Sequence, residues 1–168
     1  MNDGDVGALA QEIHTDLDAI RRHYDRQFDP PAREAMADDA ERWRRNVHRA
    51  IEHAHHSVER LTSAQGNDTE RSNAGRDAAL AICALGAQLA SIAAQVSLAQ
   101  AGGQIPSTVG SALTGLINNI QAVVRGISAQ ILQLIMSLVT PVGWSIAGGL
   151  GTNLFGLQGN IQLEIQFH

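Results

Sequence analysis

The chain has 168 residues, a net charge of −5, twelve basic side chains that are all arginine, and one cysteine, Cys83. That length suits a single domain with a sizeable core, the mixing of arginines with acids argues against a nucleic-acid groove, and one cysteine excludes a disulfide framework or a multi-Cys zinc site. Of the 29 charged side chains, 27 precede residue 78 and only Arg125 and Glu164 follow, so the second half lacks the charge that a wetted surface normally carries.

The first predicted helix runs from about Asp5 to Phe28. Val6, Ala10, Ile13, Leu17, Ile20, Tyr24 and Phe28 step by threes and fours, the spacing of a buried helical seam. Early acids and late arginines suit the helix dipole, and Asp29-Pro30-Pro31 is expected to end the helix. A second helix, about Pro31 to Ala64, repeats the spacing with Met36, Ala40, Trp43, Val47, Ile51, Ala54, Val58 and Leu61. Gln65-Gly66-Asn67-Asp68 reads as a turn, with Asn67 or Asp68 as the cap of the next helix.

The third helix, about Thr69 to Ala101, carries Leu85, Leu89, Ile92 and Val96 as its large residues, with small alanines between them. Gly102-Gly103 and Pro106 break it. The fourth, about Ser107 to Thr140, has a wide apolar face including Leu113, Ile117, Ile120, Val124, Ile127, Ile131 and Leu134. Asn118, Gln121, Arg125 and Ser128 form its narrow polar face. Similar lengths and short connections predict an all-α, antiparallel four-helix bundle with long helices over 1–140. Within it, 5–64 forms a charged hairpin and 69–140 an uncharged one.

The tail, 141–168, is glycine-rich. It closes with a predicted β segment over 161–167, where Ile161, Leu163, Ile165 and Phe167 alternate with Gln162, Glu164 and Gln166. A lone strand needs a partner for its backbone groups. A hairpin through Gly159-Asn160 supplies one, and pairing between chains supplies another, stacking Ile161, Leu163, Ile165 and Phe167 as apolar ladders.

Two uncharged stretches, 78–99 and 126–150, are long enough to cross about 30 Å of hydrocarbon. The first is largely alanine and the second is interrupted by Pro141, so a water-soluble bundle is the expected resting state. The acidic start of the chain is unlike a secretory signal, which places that state in the cytoplasm, with membrane association on activation. On one face of the second helix, His48, Glu52 and His55 are metal-ligand types. A di-iron bundle needs two Glu-x-x-His motifs, and only one is present, so a solvated histidine-rich face is the expectation and no cofactor is assigned. No nucleophile–base set can be argued from spacing, and an enzyme is not expected.

A helical bundle followed by a short terminal β segment containing Gly156, Gly159, Asn160 and the alternating Ile161 to Phe167 resembles the bacterial Bell-domain proteins, counterparts of fungal HeLo-type cell-death effectors. The resemblance implies a bundle that perforates membranes and an amyloid-type signalling segment templated by a receptor with a similar tail. The sequence reading is therefore a non-enzymatic, self-assembling, membrane-active effector of pore-forming type. Gly159, Asn160, Ile161, Leu163, Ile165 and Phe167 would serve assembly, and Asn118, Gln121, Arg125, Gln130 and Trp144 the membrane or pore. Its partners would be further copies of itself, membrane lipid and such a receptor, with no nucleic acid. A soluble homo-oligomeric interaction module is the alternative, and a metal-binding bundle a third.

Overall fold

The computed structural model describes residues 3–64, 68–138, 144–147 and 164–167. Helix α1 spans Asp3–His23, a π-helical turn follows over Tyr24–Phe28, and α2 spans Asp29–Ala35. Then come α3 (Ala37–Ser63), α4 (Asp68–Ala101) and α5 (Ser107–Leu138). Because α1, the π turn and α2 run on without a break, the described helices form four rods.

The prolines do not end the first rod as the sequence predicts. Proline disrupts a helix by removing an i→i−4 hydrogen bond and by clashing with the carbonyl four residues back. Here the turn before them is widened: the Asp29 N–H donates to the Tyr24 carbonyl, five residues back. Pro30 and Pro31 then occupy the first positions of α2, the part of a helix where proline is best tolerated. Buried aromatics hold the widened turn, with Tyr24 and Phe28 ring centroids 5.0 Å apart and Phe28 against Trp43 at 6.3 Å.

The chain reverses instead at Met36, whose φ of −144° and ψ of 63° are not helical. Cross-helix partners then step in opposite directions along the two rods: Asp18 meets His55, Arg21 meets Glu52, Asp25 meets His48 and Phe28 meets Trp43. Rods α1 and α3 are therefore antiparallel. Arg60 with Asp77 and Trp43 with Gln95 define the same sense for α3 and α4. Between α4 and α5 the chain turns through Gly102–Pro106, and Gly103 takes a φ of +73° that a side chain rarely tolerates. Gly110, early in α5, lies hard against the Gln100 side chain, so a Cβ there would collide with it.

Each rod packs on two neighbours in the cyclic order α1, α3, α4, α5 and back to α1. Their inward faces form one core. Ile13, Leu17, Ile20, Trp43, Val47, Ile51, Leu85, Leu89, Ile92, Ile117, Ile127 and Leu134 are all buried in it. The most extensive contact is between α3 and α4. Ala40 and Ala54 on one side and Ala74, Gly75, Ala78 and Gly86 on the other are all buried, and such small side chains let helices approach closely. Burying each Leu or Ile contributes about 1.5–3 kcal/mol, so the seams predicted from spacing supply most of the cohesion.

Two four-residue strands, β1 (Trp144–Ala147) and β2 (Glu164–Phe167), pair antiparallel, with Trp144 opposite Phe167 and Ile146 opposite Ile165. Ile161, Leu163 and the Gly159-Asn160 turn expected from the sequence lie outside the described residues.

Candidate functional site

The bundle has two chemically different sides. On the α1–α3 side, charged and imidazole groups meet across the groove. The Arg21 guanidinium donates to Glu52 at 2.7 Å, His48 Nε2 lies 2.6 Å from Asp25, and His55 Nε2 lies 3.0 Å from Asp18. His14 and His55 bring their Nδ1 atoms within 2.7 Å. Burial and the neighbouring His55 push the proton affinity of His14 below the usual imidazole value, while Glu59 and Asp18 oppose them. The exposed Arg21–Glu52 ion pair contributes about 0–1 kcal/mol; together these cross-helix contacts match a single register of the two rods.

Beneath this seam, at the π turn, Tyr24 is fully buried. Burial, with Asp29 and Asp25 nearby, raises its phenol well above the ordinary range. Asp29 is also buried and pairs through one oxygen with Arg33 at 2.7 Å.

The first turns of α4 hold Asp68, Glu70, Arg71, Arg76 and Asp77, but beyond Asp77 the described residues of α4 and α5 carry one charged side chain, Arg125. From Leu80 to Leu98 the exposed residues of α4 include Leu80, Ala84, Ala87, Ser91, Ala94 and Leu98, spaced by fours and threes. On α5 the exposed series Ala112, Gly115, Asn119, Ala122, Gly126, Ala129, Gln133 and Met136 has the same period. Leu98 is 72% exposed and Met136 54%. A Cβ built on Gly115 or Gly126 would meet nothing within 4 Å, so no contact inside the bundle calls for glycine there. Each helix thus has a core-facing stripe and a second, uncharged stripe facing outward. Both helices are long and apolar enough to cross a bilayer by length and composition, a property that core helices of soluble bundles share.

The residues assigned from sequence to the polar side of the fourth helix divide. Asn118 and Arg125 are exposed, Gln121 is buried, and Gln130 is half-buried with its Oε1 covered. Asn118, Gln121 and Arg125 share one arc of the helix, which straddles the edge of the core, but Gln130, nine residues after Gln121, lies on the opposite side of α5. Trp144, Ile165 and Phe167 are described as strand backbone; Gly159, Asn160, Ile161 and Leu163 lie outside the described residues. The three metal-ligand types on α3 are not brought together. His48 is taken up by Asp25, Glu52 by Arg21, and His55 by Asp18 and His14. Sequence reasoning missed His14, because only the reversal at Met36 sets it opposite His55. The lone thiol, Cys83, is half-buried and burial pushes it up to about 11.

No protein-family model, curated protein or solved structure matches the chain.

Proposed function

We propose that the protein is a non-enzymatic, self-assembling, membrane-active effector of pore-forming type. The observation that carries this reading is the uncharged outer face of α4 and α5, with Leu80, Leu98, Val123 and Met136 exposed on helices of 34 and 32 residues. The α1–α3 hairpin, which holds 22 of the 29 charged side chains, keeps the resting bundle soluble in the cytoplasm. On activation the α4–α5 hairpin meets lipid or other copies, and the uncharged polar groups of α5, with Asn118 and Arg125 among them, turn toward the water-filled side. Helices tolerate lipid because their backbone groups are satisfied internally. The terminal segment 161–167 supplies the assembly signal, templated by further copies or by a receptor bearing a similar tail. This is the behaviour implied by the likeness to Bell-domain and HeLo-type effectors.

Dye release from liposomes tests the reading. Purified protein is expected to empty vesicles at some combination of pH and lipid composition. Intact vesicles across all of them would exclude a membrane role.

A second reading, a soluble homo-oligomer, is favoured by one observation. Half of the most apolar window of α4 is already buried inside the bundle, which leaves only its outer stripe to be covered, and a second copy could cover that stripe without lipid. Sizing in buffer separates the two readings: a stable oligomer that spares vesicles supports the second.

A further inference from the structure

His14 on α1 and His55 on α3 face each other across the charged hairpin. Their rings are nearly parallel, 8° apart, with centroids at 5.0 Å and Nδ1 atoms at 2.7 Å. The partners fix the protons. Asp18 lies 3.0 Å from His55 Nε2, so a neutral His55 carries its hydrogen there and offers a lone pair at Nδ1. His14 must then donate its Nδ1 hydrogen into that lone pair. A single proton holds the two rings together.

A metal ion can take the place of that proton. Imidazole nitrogens bind zinc-type ions at about 2.0–2.1 Å, which at a tetrahedral angle sets two nitrogens about 3.3 Å apart. The two nitrogens need to part by about 0.6 Å from the distance they hold, and because the rings now meet head-on each must also tilt so that both lone pairs converge on the ion. The His14 hydrogen moves to Nε2, so both ligands stay neutral imidazoles. Asp18 already sits where a metal-binding histidine usually has its carboxylate, on the nitrogen away from the ion, where it fixes tautomer and ring orientation.

A third ligand is at hand. Glu59 is four residues after His55 and so shares its face of α3; in the antiparallel register it lies level with His14. Its carboxylate is close enough to act on His14 electrostatically. As the side chains stand, no three His, Cys, Asp or Glu among the described residues surround a common point. Glu59 is exposed, and a rotation of its side chain would complete the set, leaving the fourth position to water.

We propose that this corner of the α1–α3 hairpin binds a divalent transition metal, with His14 Nδ1, His55 Nδ1 and Glu59 as ligands and Asp18 as the carboxylate that orients His55. Two imidazoles and one carboxylate suit zinc, nickel or cobalt and disfavour magnesium or calcium. The site joins two helices, so the bound ion would pin α1 to α3. It stands apart from the membrane reading and would hold in a soluble oligomer equally well.

The test uses the full chain, untagged and stripped with a chelator, titrated with zinc by calorimetry and with cobalt by visible absorption. The expected result is one ion per chain, a raised melting temperature, and cobalt bands of four-coordinate type. His14→Ala should weaken binding at least tenfold, and Asp18→Asn by about ten- to a hundredfold. Glu59→Gln, at an exposed position, should shift the cobalt spectrum with the fold intact. His48→Ala should leave the affinity unchanged. Absence of zinc binding by the wild-type chain would overturn the proposal. So would equal losses for His48→Ala and His14→Ala, which would mark diffuse binding to surface histidines, or a cobalt spectrum unmoved by Glu59→Gln.

Discussion

Replacing Gly126 by aspartate separates what the bundle needs from what its outer face does. In the folded chain Gly126 is exposed on α5, and an added Cβ meets nothing within 4 Å. Glycine inside a helix costs about 0.8–1.0 kcal/mol relative to alanine, and aspartate somewhat less. Gly126→Asp should therefore change bundle stability by no more than about 0.5 kcal/mol, in the stabilising direction if at all. The same side chain facing hydrocarbon near the middle of a spanning helix costs about 2.5–3.5 kcal/mol. At about 1.4 kcal/mol per factor of ten, insertion should fall roughly 60- to 300-fold. Thermal unfolding followed by circular dichroism reads the first quantity, and the protein concentration that half-empties dye-loaded vesicles reads the second. An unchanged melt with at least a tenfold rise in that concentration is the expected pair of results. A variant that lyses vesicles like wild type, with the same melt, would refute the placement of this face in lipid.

Other expectations follow from the core, the titrating groups and the tail. Leu85→Ala, at a fully buried position on α4, should cost about 2–5 kcal/mol by urea unfolding. Because the Cys83 thiol is pushed up to about 11, alkylation by iodoacetamide at pH 8 should be much slower than for a small free thiol and should accelerate when urea opens the bundle; equal rates in both states would contradict its burial. The Tyr24 phenol has a higher pKa folded than unfolded, so its contribution to stability is intact below about pH 10, the unfolded value, and is lost as pH rises above it; Tyr24→Phe should flatten that alkaline loss in denaturation curves. Deleting Ile161–His168 should abolish assembly while sparing the helical circular-dichroism signal, and an unchanged oligomer size would remove the tail from the mechanism.

The buried seams were readable because helix periodicity is local: Ile13, Leu17, Ile20, Val47, Ile51, Leu85 and Leu89 all face inward as their spacing requires. The loop between α4 and α5 was equally legible in Gly102, Gly103 and Pro106. The reversal of the first hairpin was not. Asp29-Pro30-Pro31 reads as a stop only if the preceding turn is an ordinary α turn, and the π turn over Tyr24–Phe28 depends on contacts with Trp43 and His48 that lie far along the chain. That shift in turn position decides the candidate metal corner. A reversal near residue 30 would set His14 opposite about Asn46, whereas the reversal at Met36 brings it to His55. The uncharged second half announced that something must cover it, but its division into an inner and an outer stripe needed the packing of α3 and α5 around α4.

The central claim is that the outer face of α4 and α5 leaves water while the outer face of α3 does not. An environment-sensitive fluorophore placed in a Cys83→Ser chain at Leu98→Cys, on the exposed uncharged stripe, and separately at Arg49→Cys, on the exposed charged side, measures this directly. On adding vesicles, the label at position 98 should shift to shorter wavelength and the label at 49 should keep its emission in water. A label at 98 that stays in water while the vesicles empty, or equal shifts at both positions, would contradict the account.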